Sequence, residues 1–516
     1  MPRAVYAGLV GLLVLGIGSL YLAKTSWDSV DRYRPRHAAL AGGEPLSQRV
    51  VLIVLDGIRL DVSRHMEFLA SLASKGSSGI SRAGLPSLSN PGRATLATGA
   101  WPEISGVTSN TPISLPLVGS VFSLAAKAGI PRAAAGSRFW RQAFGAYLQG
   151  DLLITDKSPH IGATVSELKA WQRETCAEME RFVGQDREGF IAIDITAADG
   201  AGHDFGGASA AYREVASEVD RCLETLVSPL ADSRTTFIVT SDHGHIDRRA
   251  GGGHGGNEPE VTAVPLVLAG RAIRVSSGWK GQSVDVAPTI CALLGLPLPA
   301  SSQGNILWQA LELPPPAETL LRRRAERQRL LAASELAVRG EGLTAERQER
   351  SWVSAAWSLL LAAIAGAALR RQRDIWRRLL VAVAIYFGVY YLCFTLAGLG
   401  YSLSVLGRQE YLPAFLGKNL AAAVAATLAA SVFLRKGASP TAALRLLDCA
   451  VVITAILGLA VGWAHYRTGL FMGSFMPDLT LTFKACLDLL QIFAIAVTTP
   501  IVVWLDRRSK AVTWQP

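Results

Sequence analysis

Asp199 with His203, Asp242 with His243, and His254 lie in three short, well-separated pieces of this 516-residue chain. Asp and neutral His together suit zinc or manganese, whereas an all-oxygen set suits calcium or magnesium. With Asp56 and Ser89 upstream, the set reaches the roughly six or seven N and O ligands needed by two divalent ions about 3.5–4 Å apart, each keeping an open position for an oxygen of the reacting group. The chemistry this predicts is phosphoryl transfer at a two-metal site, with Zn2+ favoured and Mn2+ as the alternative.

Such residues need elements that bring them together. The runs Arg49–Leu55 (RVVLIVL), Phe190–Ile193 (FIAI) and Thr235–Thr240 (TTFIVT) are short, apolar and β-branched, which predicts buried strands of a mainly parallel sheet in an α/β domain flanked by helices. Each is followed closely by a carboxylate: Asp56, then Asp194 and Asp199, then Asp242. Open α/β sheets bind ligands beyond the carboxyl ends of their strands, so three distant segments can converge on one crevice.

The segments Asp56-Gly57, Asp199-x-x-Gly202-His203, Ser241-Asp242-His243-Gly244 and His254-Gly255-Gly256 resemble the alkaline phosphatase superfamily, especially its phosphodiesterase and phosphoethanolamine-transferase branches. Val284–Gly304 (VDVAPTICALLGLPLPASSQG) is similar to the helix and Pro-rich turn that close the domain in those branches. The resemblance runs from about Arg49 to Leu307. It implies an alkaline-phosphatase-like fold, one metal held by Asp199, His203 and His254, and another held by Asp56, Asp242, His243 and the nucleophile. Asp194 then falls outside the ligand set as a strand-end carboxylate, and His245 is a candidate substrate contact.

Ser89 is the candidate nucleophile. Pro91 suits the first turn of a helix that Ala94, Leu96 and Ala97 would continue, so Ser89 lies just before a helix N-terminus, where free N–H groups and the positive end of the dipole meet a phosphoryl oxygen. A plain serine cap is the alternative. Pro86–Gly92 also resembles the nucleophile segment of the ethanolamine-phosphate transferases of the glycosylphosphatidylinositol pathway, with Arg93 where their histidine stands. Ser89-x-Pro91-x-Arg93 followed by Leu96-x-Thr98-Gly99 is similar instead to the sulfatase signature, whose serine becomes formylglycine. A one-metal calcium site would leave the Asp199, His203 and His254 triplet without a role, which favours phosphoryl transfer. Arg93, whose planar fork matches oxyanions, and Asn110 are the candidate phosphate contacts.

The rest of the chain places this chemistry. Half of the residues are hydrophobic, and the excess sits at the two ends. Ala4–Ala23 is an apolar run of membrane-spanning length without a small-x-small cleavage site, which predicts an uncleaved anchor. Five further spans are expected near Trp352–Leu369, Leu379–Leu399, Leu412–Leu434, Cys449–His465 and Ala485–Leu505. The predicted organisation is an anchor over 1–23, the catalytic domain over 24–311, a charged helical linker over 312–350 and a five-helix membrane region over 351–516.

Arg370, Arg371, Arg373, Arg377 and Arg378, then Arg435, Lys436 and Arg445, then Arg507, Arg508 and Lys510 mark alternate loops as cytoplasmic. Residues 24–350 then face outward, into a periplasm or lumen, and the C-terminus faces the cytoplasm. The net charge of +10 reflects this topology, and no nucleic-acid motif is present. In the linker, Leu320, Leu321, Leu330, Leu331 and Leu336 could line one face and the arginines another, as in a membrane-surface helix or a solvated connector. Cys176 and Cys222 could pair in an oxidising compartment.

These features imply a membrane-bound phosphoethanolamine transferase with a phospholipid donor and a lipid or glycan acceptor, acting through Ser89. A phosphodiesterase or phosphatase is the alternative. Further alternatives are a sulfatase with formylglycine at position 89 and a catalytically dead membrane scaffold. The full ligand set and the scarcity of charge within the spans, where Lys418 and Asp488 lie, weigh against a scaffold.

Overall fold

Arg49–Leu55 alternates its side chains between two apolar layers, which is why every residue of this strand is buried. Val50, Leu52 and Val54 enter one core cluster and Val51, Ile53 and Leu55 the other. Each fully buried aliphatic side chain of this kind contributes about 1.5–3 kcal/mol relative to exposure. The computed structural model describes residues 3–28, 42–111, 115–148, 151–155, 162–184, 187–248, 251–435, 442–468 and 479–512, with side chains omitted at 4, 25–28, 332–350, 409, 468, 479, 507 and 509–512.

Ten strands are described: β1 (Arg49–Leu55), β2 (Ser77–Arg82), β3 (Arg132–Gly136), β4 (Leu152–Ile154), β5 (Gly189–Ile195), β6 (Thr235–Thr240), β7 (Ile246–Arg248), β8 (Gly251–Gly253), β9 (Ala263–Gly270) and β10 (Ser276–Gln282). Eight form one sheet in the order β10-β2-β9-β6-β1-β5-β3-β4, and β7 and β8 form a separate hairpin pair. β9 alone runs against its neighbours β2 and β6, so the sheet is mainly parallel as expected. Helices Ser89–Thr98, Val121–Lys127, Arg138–Leu148 and Val286–Leu293 cover one face; Glu67–Lys75, Val165–Val183 and Ala210–Val227 cover the other. Cys176 and Cys222, on the last two of these helices, form a disulfide with Cα atoms 5.7 Å apart.

The three predicted strands become β1, β5 and β6, side by side at the centre of the sheet. Val54 pairs with Asp194 on one side and with Thr240 on the other, so the carboxyl ends of the three strands are level. This register brings Asp56, Asp194 and Asp242 to one edge.

Among the described residues, six helices are long and apolar enough to cross a membrane: Val5–Lys24, Ser351–Arg371, Trp376–Leu396, Leu412–Arg435, Ala442–Arg467 and Thr480–Asp506. The chain divides into two compact units, one of Asp31–Gly340 with Leu403–Gly407, the other of Met1–Val30, Glu341–Ser402 and Arg408–Pro516. The start of the linker packs on the catalytic core through Leu321 and Ala325, while Leu320 and Leu330 are exposed. The five residues Leu403–Gly407, expected to belong with the spans, belong to the catalytic unit. The side chain of Leu336 lies outside the described ones.

Candidate metal centre

Asp56 follows β1 directly, and Gly57 makes the turn that frees it. Gly57 has φ +74°, and a Cβ there would lie 2.8 Å from His245 Nε2 and 2.9 Å from Asp199 Cα, so the turn needs glycine on both conformational and steric grounds. Gly57 N–H donates to Asp242 Oδ1 at 3.2 Å, joining the turn after β1 to the one after β6. Asp199 and His203 lie on helix Ala197–Phe205, four residues apart and hence on one face. His254 follows the glycine strand β8.

Two groups of metal-competent side chains result: Asp199, His243, His245 and His254, and Asp56, Asp242 and His243, with the candidate ligand atoms of each group within 4.8 Å of one another. His203 Nε2 is 3.2 Å from His254 Nε2 and 3.4 Å from Asp199 Oδ1. His245, expected as a substrate contact, is fully buried with Nε2 3.0 Å from Asp199 Oδ1. His243 belongs to both groups, Ser89 and His203 lie within hydrogen-bond distance of His243 and His254 respectively, and His245 stands on the Asp199 side.

The residues fit a pair of divalent cations. Asp56 Oδ1 and Asp242 Oδ2 are buried carboxylate oxygens without a hydrogen-bond partner, a costly arrangement that a cation would relieve. His243 Nδ1 lies 3.1 Å from Gly244 O, and His254 Nδ1 lies 2.9 Å from Ser87 O. Donating those protons to carbonyls leaves the Nε2 lone pairs directed into the site, as metal-binding imidazoles require.

The electrostatics agree. Burial lowers His243 to about 3 and holds His254 well below the usual imidazole range, with His243 adding to the second effect. Burial pushes Asp56 up to about 6 against the opposing pull of Arg93, and raises Asp242 with help from Asp56. Asp199 is also buried, but His203, His245 and His254 hold it well below the ordinary carboxylate range. His243 and His254 are thereby favoured as neutral donors, and burial among other carboxylates disfavours the charged forms of Asp56 and Asp242.

Ser89 is the first residue of helix Ser89–Thr98 rather than its cap; Leu88 takes the cap position and makes no side-chain bond there. Ser89 Oγ instead lies 3.1 Å from His243 Nε2. The helix is held by the closing segment: Gln303 N–H donates to Gly99 O at 2.7 Å, and a side chain at Gly99, where φ is +70°, would strike Ser302. Gly92 lets the helix approach Asp242, whose Cβ is 2.8 Å from where a side chain would begin.

Arg93 and Asn110, the expected phosphate contacts, both make hydrogen bonds within the protein. Arg93 is 3% exposed and donates from Nη2 to Asp56 Oδ2 at 2.5 Å and from Nε to Asp194 Oδ2 at 2.7 Å. Burial pushes Asp194 up to about 7 despite this partner. Asn110 Oδ1 accepts the Asn90 N–H at 2.9 Å and braces the start of the helix. Ser87 escaped sequence reasoning, since its partners at Gly255 and Gly256 are 168 and 169 residues away and leave no local signal.

Residues 50–252 match the model of the family described as type I phosphodiesterase / nucleotide pyrophosphatase. That description and the names of the relatives below agree with the resemblance that the order of motifs implied. The chain is similar to GPI ethanolamine phosphate transferase 1 of Homo sapiens, 26% identical over 50% of this chain and 32% of that protein. It also resembles the catalytic subunit of human GPI ethanolamine phosphate transferase 2, 25% identical over 54% of this chain and 29% of that one. A shorter stretch is 32% identical to the 2,3-bisphosphoglycerate-independent phosphoglycerate mutase of Prochlorococcus marinus, over 25% of each protein. The chain thus spans about a third of the length of the transferases it matches.

Proposed function

We propose that the protein is a membrane-bound, two-metal phosphoryl-transfer enzyme whose outward-facing domain moves phosphoethanolamine from a phospholipid to a lipid or glycan hydroxyl, with Ser89 as nucleophile. The observation that carries this reading is the position of Ser89 Oγ on a buried helix start, 3.1 Å from Nε2 of His243, which groups with Asp56 and Asp242. The transferase names of the matched relatives support the head group, and the pairing of Cys176 with Cys222 supports an oxidising compartment. Mixed Asp and His donors favour zinc, with manganese as the alternative.

Bound metals would supply positive charge for the phosphate oxygens and favour the alkoxide form of the nucleophile. Asp199, His203 and His254 would hold one and Asp56, Asp242, His243 and Ser89 the other. Ser89 Oγ, having lost its proton, bonds to phosphorus as the bond to the diacylglycerol oxygen breaks and that oxygen takes a proton. An acceptor hydroxyl then loses a proton and bonds to phosphorus, and Ser89 leaves and is reprotonated. Arg93 holds Asp56 and Asp194 in place across both steps.

Water in place of the acceptor would make the same site a phosphodiesterase, a reading favoured by the description of the matched family. Purified enzyme incubated with head-group-labelled phosphatidylethanolamine tests the proposal: label on the peptide containing Ser89 is expected, and label on another residue overturns it. Adding an acceptor hydroxyl then separates the two readings, since transfer moves label to the acceptor and hydrolysis releases free phosphoethanolamine.

A further inference from the structure

Residues 403–407 lie in sequence between the apolar helices Trp376–Leu396 and Leu412–Arg435, yet they belong to the compact catalytic unit. Their contacts there converge on the turn that carries His254. Ser404 is fully buried; its Oγ accepts the Gly256 N–H at 2.9 Å and donates to Glu258 Oε2 at 2.7 Å. Glycine makes the approach possible. A Cβ on Gly253 would lie 2.2 Å from Ser404 O and 2.9 Å from Gly407 Cα, and one on Gly255, where φ is +115°, would lie 3.1 Å from Leu403 Cβ and 3.2 Å from Leu88 Cδ2.

Ser87 grips the same turn by other atoms. Its Oγ donates to Gly256 O at 2.6 Å and accepts the Gly255 N–H at 3.1 Å, while its carbonyl faces His254 Nδ1 at 2.9 Å. The His254-Gly255-Gly256 turn is glycine-rich and has little conformational preference of its own. These two serines hold it through hydrogen bonds to its backbone. Ser87 precedes the nucleophile by two residues, and Ser404 comes from the segment joining two membrane helices.

We propose that Ser404 is a positioning residue for the metal centre: the segment Leu403–Gly407 fixes the turn that aims His254, so one metal equivalent depends on the chain that joins two of the apolar helices. This rests on the two-metal reading above. Outer partners of metal ligands typically tune affinity 10–100-fold, and Ser404 reaches His254 through two backbone groups.

The test uses the full chain in detergent, stripped with chelator and titrated with Zn2+ alone against a competing chelator. Ser404→Ala is expected to weaken one of two zinc equivalents about 10-fold or more, with the unfolding temperature of the metal-free protein unchanged. Glu258→Gln, at a partly exposed position, keeps the fold and is expected to weaken the same equivalent to a smaller degree. Wild-type zinc affinity in both variants overturns the proposal while leaving the metal centre intact. An equal fall in unfolding temperature with and without zinc also overturns it, because Ser404 is then a general packing residue. A wild-type chain that takes up no stoichiometric zinc sinks the metal-centre reading and this proposal with it.

Discussion

Arg93 Nε donates to Asp194 Oδ2 at 2.7 Å, while Nη2 of the same guanidinium donates to Asp56 Oδ2. One buried cation thus orients two carboxylates at the ends of neighbouring strands, four residues along the helix from the candidate nucleophile. Removing it would leave two buried carboxylates without their partner. Arg93→Ala is expected to cost about 3–5 kcal/mol of stability, read as a large fall in unfolding temperature of the metal-free protein. A variant that keeps wild-type stability but raises KM would restore Arg93 as a direct phosphate contact. Arg93→Lys should rescue poorly, since a point charge cannot span both oxygens as the planar fork does.

Ser89→Ala should lower turnover of labelled phosphatidylethanolamine by about 10³-fold or more, because the covalent route disappears with the hydroxyl. Metal content should fall little, since Asp56, Asp242 and His243 remain. Intact-mass measurement of the wild-type peptide should show unmodified serine at position 89, and formylglycine there would redirect the assignment to sulfate ester chemistry.

Asp242→Asn combined with His243→Ala should reduce bound zinc from about two equivalents to about one per chain, measured by elemental analysis after gel filtration. Loss of activity at unchanged metal content would mean that these residues act elsewhere in the reaction.

Metal uptake should release more protons in acid than at pH 8. With Asp56 raised to about 6, a proton occupies that carboxylate below pH 6 and must leave when a cation binds; His243, lowered to about 3, is already a free donor. The Asp56 proton alone is thus expected to raise the zinc affinity of the stripped protein by up to about tenfold between pH 5 and 6, and the raised Asp242 adds a further proton to displace. Calorimetry in buffers of different ionisation enthalpy counts the protons, and equal release at pH 5 and pH 8 would contradict the assignment.

Much of this molecule was legible along the chain. β1, β5 and β6 follow from short β-branched runs, because a parallel strand buried on both faces must be apolar throughout. The carboxylates just after those runs follow too, since strand ends in such sheets share one edge, and the six long apolar helices follow from the thickness of a bilayer. Only the tertiary structure decided which way side chains turn once they arrive. Arg93 faces Asp56 and Asp194, Asn110 binds the Asn90 N–H, and His245 lies against Asp199. Ser404 reaches the His254 turn from 148 residues away. Periodicity reports which face of an element is buried, but not which distant polar group will share that burial. That choice is made by packing and hydrogen bonding between segments far apart in the chain.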